Sequence, residues 1–374
     1  MTRVAHLTSV HPAFDTRIYH RECRALTEAG YDVVLVCADP AVTSGRYAFA
    51  NVRSVPIPRR RIGRAFVGGW RILRVARSSR AKLYHLHDPE LLMIAPFLAF
   101  GGARVVYDAH EDLVEQVLGK GWIPARLRST VSKVASWILP AVTSRLDAVV
   151  AVTPDVAARH RGSHVTMVRN YPILSELEPA ADAAPYVDRP PRVAYVGGIG
   201  LSRGCLEMAR AVASLPATIP VELAMGGWFA PPSFEAELRS AIPAERLALL
   251  GTLDRDGVQK LLSSSRVGLI LDHPTPAYLR SFPVKMFEYM AAGVPIVASD
   301  FPLWKEIIGE AGCGLLADPR DPEQIADAIQ TLLSDPVAAR AMGQRGREAV
   351  VERFNWVPEA AALVALYAKL VGGP

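Results

Sequence analysis

Short runs of β-branched and apolar residues alternate with stretches of helical character along the whole chain. In the first half the runs are Val4–Val10, Asp32–Ala38, Lys82–Asp88, Arg104–His110 and Asp147–Thr153, with a helix expected near Arg21–Ala29. Strands that are apolar nearly throughout, separated by helices, predict a parallel sheet covered on both faces. A proline- and alanine-rich stretch, Leu177–Pro191, interrupts the alternation and reads as an interdomain linker. The pattern resumes with Arg192–Ile199, Val221–Gly227, Leu247–Leu253, Val267–His273 and Val294–Asp300. The fold class expected is therefore α/β, with two doubly wound Rossmann-like domains facing across a cleft. Their expected limits are residues 1–176 and 192–354 around a linker at 177–191, and a last helix within 355–374 is expected to pack back on the first domain.

One corner combines apolar and charged positions in an unusual way. SFPVKMFEYMAAGVPIVASD, Ser281–Asp300, predicts a helix opened by Pro283, ended at Gly293 and followed by a strand. Met286 and Met290 are expected to face the core, while Lys285 and Glu288, three residues apart, can share the other face. A helix N-terminus attracts phosphate, and a lysine strengthens that attraction. The glutamate fits if it accepts hydrogen bonds from a ribose diol while the lysine lies by the phosphates. Spacing alone leaves a surface ion pair open as the alternative.

Composition narrows the class. The chain has 374 residues, 50% of them hydrophobic and 21% charged, and this excludes a disordered or fibrous protein. The longest apolar run, near Leu91–Phe100, is about half the length that crosses a bilayer, and no leader pattern precedes the first strand, so a cytoplasmic protein is expected. Cys23, Cys37, Cys205 and Cys313 form no C-x-x-C pair and are expected to be inert packing residues. The net charge of +5 is unevenly spread: no acidic residue lies between Pro40 and His87, where Arg59, Arg60, Arg61, Arg64, Arg71, Arg74, Arg77, Arg80 and Lys82 accumulate. With Lys120–Arg145, which repeats the mixture of cations and large apolar residues, this predicts a basic first domain. That surface is either a solvated arginine face or a peripheral contact with anionic lipid at the inner face of the cell membrane. No helix-turn-helix, RNP or zinc-finger pattern accompanies the charge, so nucleic acid is not an expected partner.

Three short motifs compete with the nucleotide reading. Gly200–Gly204 fits G-x-S-x-G between a strand and a helix, and Asp272 and His273 follow in the chain order of a hydrolase triad. Two adjacent residues, however, cannot readily serve one triad as orienter and base. Gly198, Gly200 and Gly204 approximate a dinucleotide fingerprint, but the next strand lacks its terminal acidic residue. Asp254–Asp256 has the form D-x-D, yet its place between a strand and a helix suits a solvated turn or helix cap better than a metal.

FEYMAAGVPIVASD together with CGLLADPRDPEQIADAI resembles the retaining glycosyltransferase family 4. The resemblance continues through HLTSVHPAFDTRIYHRECRALTEAGYDVVLV, HLHDPELL, VVYDAHED and YVGGIGLSRG, and so covers nearly the whole chain. It implies a GT-B fold and transfer of a sugar from a nucleoside-diphosphate sugar, with UDP as the expected nucleotide, without cofactor or metal. The implied acceptor is a hydroxyl of a glycan, a lipid-linked or cell-envelope intermediate, or a small molecule. Of the family's glutamate pair the second falls on Glu288, expected at the ribose, while the first falls on Arg280, which departs from the pattern. The family's phosphate-binding lysine falls on Arg203 and its arginine on Gly198, so Lys285 is expected to substitute for the missing cation. Gly200, Gly227, Leu253, Ser281 and Phe282 are the further donor-side candidates. In the first domain His110 matches the family's histidine near the donor's reacting carbon, against a packing role at a strand end. His11, Asp15 and Arg17, in the place of the family's first glycine-rich loop, and His87 are acceptor-side candidates. Of His85 and His87 only one is expected to face the cleft. Departures from the family pattern keep two alternatives open: a non-catalytic sugar-nucleotide binding or scaffold protein, and a GT-B sugar-nucleotide epimerase.

Overall fold

The alternating pattern produces two sheets in the computed structural model, which describes residues 1–58, 63–110, 112–119, 123–179 and 183–374. Arg59–Arg61 and Lys120 of the basic segments, and Ala180–Asp182 of the expected linker, lie outside the described residues. The chain divides into one unit formed by Met1–Asn170 with Trp356–Pro374 and a second formed by Tyr171–Asn355.

The first unit holds β1 (Arg3–Leu7), β2 (Asp32–Cys37), β3 (Gly45–Arg46), β4 (Asn51–Ser54), β5 (Leu83–Leu86), β6 (Arg104–Ala109), β7 (Ala148–Ala151) and β8 (Val165–Met167). Their order is β3-β4-β2-β1-β5-β6-β7-β8, parallel except for the β3–β4 pair. β1 lies between β2 and β5, with Val4 opposite Val33 on one side and Leu83 on the other. Every residue of β5 and β7 is buried, as an interior parallel strand covered on both faces requires. The helix Trp356–Val371 belongs to this unit and buries Leu363, Leu366 and Tyr367.

The second unit holds β9 (Arg192–Val196), β10 (Glu222–Gly226), β11 (Leu247–Gly251), β12 (Val267–Ile270), β13 (Ile296–Ser299) and β14 (Gly314–Ala317). The order β11-β10-β9-β12-β13-β14 is parallel throughout. The crossover from β10–β9 to β12 makes this a doubly wound sheet, whose binding residues belong at the carboxyl ends of the strands. The helix Val284–Ala291 follows Pro283, and Gly293 beyond its end has φ of 67°, a left-handed conformation that glycine adopts without strain. Met286 and Met290 are fully buried in its core-facing side.

The domain limits differ from the composition-based expectation. The first boundary falls at Asn170/Tyr171 rather than after residue 176, because Tyr171 and Leu177 are buried in the second unit's core. Much of the 177–191 stretch is likewise anchored rather than free: Tyr186 is buried, and its hydroxyl donates to the Arg266 carbonyl at 2.7 Å. A proline- and alanine-rich composition removed the periodic signal without removing these two anchors.

Candidate functional site

In the second unit the functional side chains gather at the carboxyl ends of β9, β10, β11 and β12. β9 runs into Gly197–Gly200 and a single 3-10 turn, Leu201–Arg203, and Gly204 then takes φ of 66° to start the helix Cys205–Ser214. Gly227, just past β10, leaves no room for a side chain, since a Cβ there would strike the Gly197 carbonyl. The two loops are thus pressed together, and the Trp228 ring lies over Gly198 while remaining 60% exposed.

Arg203 and Lys285 converge on one carboxylate. Asp272, two residues past β12 and fully buried, accepts from Arg203 Nη1 at 2.9 Å on Oδ2 and from Lys285 Nζ at 3.3 Å on Oδ1. The Arg203 guanidinium lies 4.5 Å from the Tyr278 ring centre and the Lys285 ammonium 4.5 Å from that of Tyr195. Burial depresses the Lys285 pKa, and the Arg203 charge adds to this against the opposing pull of Asp272. Burial also lowers that of Arg203, but Asp272 more than reverses it. With one carboxylate between two cations the group retains a net positive charge.

Glu288, one turn along the same helix, is buried and is held from another direction. Arg255 Nη1 donates to Glu288 Oε1 at 2.7 Å, and Arg255 Nε to Glu176 Oε2 at 2.9 Å. Lys285 and Glu288 therefore do not form the surface ion pair that their spacing also allowed. Arg255 begins the helix Arg255–Ser263, whose cap is Asp254, its carboxylate accepting from the Gly257 amide at 2.8 Å. The D-x-D motif is thus a helix cap, and the arginine between its acids is the one that holds Glu288 and Glu176. Leu253 packs beside this helix, Phe282 against the second unit's core, and Ser281 Oγ donates to the Tyr278 carbonyl at 3.1 Å. Arg280 ends the short helix Pro276–Leu279 and is exposed. The hydrolase arrangement is not formed: the His273 ring pairs with Glu207 at 3.2 Å, and Asp272 is taken by the two cations.

In the first unit the residues cluster at the ends of β1, β5 and β6. Arg17 is buried and makes a bidentate pair with Asp108, with Nε to Oδ2 at 2.8 Å and Nη2 to Oδ1 at 2.7 Å. Its remaining nitrogen donates to Asn170 Oδ1 at 2.9 Å and the Val168 carbonyl at 3.1 Å. His87 Nδ1 lies 3.0 Å from Asp108 Oδ2, and His110 Nδ1 lies 3.4 Å from the same oxygen. Burial lowers the His110 pKa, but Asp108 outweighs it and the net shift is upward. His87 is moved the other way, to about 3, because burial outweighs Asp108. His11 meets His110 edge-on at 4.9 Å between ring centres and lies 3.5 Å from Asp15. Asp15 also accepts from the amides of Arg17 and Ile18, at 2.8 and 2.9 Å.

Three first-domain expectations need correction. His85 and His87 do not divide between two faces: residues two apart on a strand share one face, and their ring centres are 4.8 Å apart, both fully buried. His87 consequently orients Asp108 rather than touching an acceptor. Arg17 is likewise spent on Asp108, whereas His11 and Asp15 keep about a quarter of their side-chain surface exposed. Asp272, Arg255 and Asp108 hold these side chains and are not among the donor- or acceptor-side candidates of the sequence. Among the described residues the donor sets with metal-ligand spacing are His6, Glu22, His85 and His87, and His87, Asp108 and His110.

The comparisons agree with this layout. The family described as Glycosyl transferases group 1 matches residues 182–349, and the one described as Glycosyl transferase 4-like domain matches residues 16–174. The glycogen synthase of Mycobacterium tuberculosis is 24% identical, with 94% of this chain and 90% of that protein covered. Sucrose-phosphate synthase from Thermosynechococcus elongatus superimposes with a TM-score of 0.79 at 21% identity, covering 100% of both chains. Anabaena HepE in complex with UDP and glucose gives a TM-score of 0.74 at 13% identity, with 99% of this chain and 100% of that one covered. These solved structures share the GT-B fold with it.

Proposed function

Because the chain belongs to the group 1 glycosyltransferases, with a glycosyl transferase 4-like domain in its first half, we propose that it moves a sugar from a nucleoside-diphosphate sugar to an acceptor hydroxyl with retention at the anomeric carbon. The observation that carries the donor reading is the separate pairing of Lys285 with Asp272 and of Glu288 with Arg255. A largely covered lysine and a buried glutamate one turn apart, each held by its own partner, suit a phosphate and a ribose better than they suit each other. UDP is the nucleotide proposed, and the UDP and glucose in the HepE complex support it.

As the bond between the anomeric carbon and the diphosphate oxygen breaks, negative charge grows on the leaving group. Arg203, Lys285 and the amides opening the helix Val284–Ala291 stabilise that charge. The acceptor oxygen bonds to the carbon from the face the phosphate leaves, and its proton passes to the departing phosphate oxygen. No metal is needed at the diphosphate in this reading, since the protein supplies the cations. His110, its proton affinity raised by Asp108, is assigned to the sugar's hydroxyls, and the exposed Arg280 to phosphate or an acidic sugar.

The acceptor proposed is a lipid-linked intermediate at the cytoplasmic membrane surface. The helix Ala125–Thr143 exposes Leu127, Val131, Val134, Trp137 and Ile138 at helical spacing, and Gly69–Ser78 exposes Arg71, Arg74 and Arg77. The helix Ala125–Thr143 also exposes Arg126 and Lys133 beside its apolar residues, and large apolar side chains mixed with cations suit an anionic interface. Among the described residues no helix is long and apolar enough to cross a membrane. Melting curves with UDP, GDP, dTDP and their sugars, followed by incubation of labelled donor with membrane extract, test the whole reading. Labelled lipid or glycan supports it. Binding without product points to a scaffold, and a changed donor sugar without acceptor points to an epimerase.

A further inference from the structure

Beneath the Trp356–Val371 helix, four potential metal ligands from three elements of the first unit meet with no exposed side-chain surface. They are His6 on β1, Glu22 on the wide-turned helix Ile18–Cys23, and His85 and His87 on and just past β5. His6 Nδ1 is 2.8 Å from His87 Nε2, and Glu22 Oε2 is 3.7 Å from His6 Nδ1, 3.7 Å from His85 Nδ1 and 3.9 Å from His87 Nε2. We infer that these four side chains form a structural site for a divalent transition metal, zinc by the chemistry of its donors.

Ligand–metal distances of about 2.0–2.1 Å at a tetrahedral centre place donor atoms roughly 3.3 Å apart, inside the spread observed. Three imidazoles and one carboxylate with no open position suit zinc held for structure rather than catalysis. The outer shell is present as well. Asp108 Oδ2 sits 3.0 Å from His87 Nδ1, and the Tyr367 hydroxyl 3.2 Å from His6 Nε2, so the nitrogens that His87 and His6 turn away from the centre each have a polar partner.

The metal-free alternative is a directed chain of hydrogen bonds. His85 Nδ1–H donates to Tyr367, Tyr367 to His6 Nε2, His6 Nδ1–H to His87 Nε2, and His87 Nδ1–H to Asp108. That chain satisfies the His6 and His87 rings and one nitrogen of His85, but leaves both Glu22 oxygens and His85 Nε2 without a hydrogen bond. Arg17 Nε, 3.1 Å from Glu22 Oε1, directs its proton to Asp108. A buried carboxylate left so is costly, and an ion among the four donors gives Glu22 Oε2 the partner it lacks. Because all four are buried, the ion would be captured as the unit folds.

Metal analysis of the full chain, produced in zinc-supplemented cells and freed of loose metal by gel filtration, tests the inference. Expected is one zinc per chain, lost in Glu22→Gln and His85→Gln, with a melting temperature that falls with chelator in the unaltered chain and does not move in the variants. A folded, zinc-free unaltered chain overturns the inference, as does zinc content unchanged in both variants. If the variants fail to fold, the zinc content of the unaltered chain decides alone.

Discussion

Asp272→Asn separates two things the second unit asks of one carboxylate. In the unliganded protein Asp272 neutralises part of the charge on Arg203 and Lys285, at 2.9 and 3.3 Å. A pair of unit charges about 3 Å apart interacts by roughly 5 kcal/mol at an effective dielectric of about 20. The Arg203 side chain is 37% exposed and its share is screened, while that of Lys285 is only 11% exposed and keeps most of its share. Removing the charge from a buried network of this kind costs about 3 kcal/mol, or about 10 °C in the melting temperature for a unit of this size. The same change raises the net charge facing a diphosphate from one positive to two. UDP should therefore bind about tenfold more tightly, a gain of about 1.4 kcal/mol. Calorimetric titration with UDP at fixed ionic strength, with melting curves of the free protein, measures both quantities. A variant that melts lower and also binds UDP tenfold more weakly would refute the reasoning, because the carboxylate would then be part of what the nucleotide needs.

Three further outcomes follow from the geometry. Glu288→Ala should weaken UDP binding by about 1.5–3 kcal/mol, the usual worth of a charge-assisted hydrogen bond; an unchanged thermal shift with UDP removes this residue from the site. Trp137→Ser with Ile138→Ser should reduce sedimentation with anionic vesicles and leave transfer to a soluble acceptor unaltered, whereas unchanged sedimentation would show that the apolar face does not meet lipid. Burial pushes the Asp15 carboxyl up, but His11 and the Ile18 and Arg17 amides more than reverse this and bring it from 3.8 to about 2. Since the folded value is the lower one, the stabilisation is complete above the unfolded value and is lost as pH falls from about 4 to about 2. It amounts to about 2.5 kcal/mol at most, at ~1.4 kcal/mol per unit, and denaturation curves across that range should lose this component in Asp15→Asn.

The long interior strands and the helix at Ser281–Gly293 were legible because burial on both faces writes an uninterrupted apolar run, and because Pro283 and Gly293 have few other uses in that order. β3, β4, β8 and β14 were not. β3 has two residues and the others three or four, and none carries a run of buried residues to set it apart from loops. Glu288 and Lys285 could be found because a charge in an apolar helix breaks its pattern. Their partners could not, for a reason that lies in topology. Asp272 reaches Arg203 only because β12 lies beside β9 in the sheet although β10 and β11 intervene in the chain. Arg255 was hidden between two acids that invited a metal reading, and its partners are Glu176 and Glu288, 79 and 33 residues away.

The buried polar residues of the first unit show the same limit from the other side. His6 stands in a strand whose other inward positions are apolar, and Glu22 lies in a helix that reads as ordinary until burial is known. A polar residue in a core is affordable only when another part of the chain supplies its partner, so its identity announces that a partner exists without saying where. Asp108 supplies that partner for three residues: it holds Arg17 through both oxygens and shares one of them with His87 and His110. An anion fixed by a bidentate arginine cannot turn toward an incoming ligand. What it can do is set the proton affinity and direction of His110, the partly exposed member of the group, and this makes Asp108 a positioning residue for whatever His110 touches.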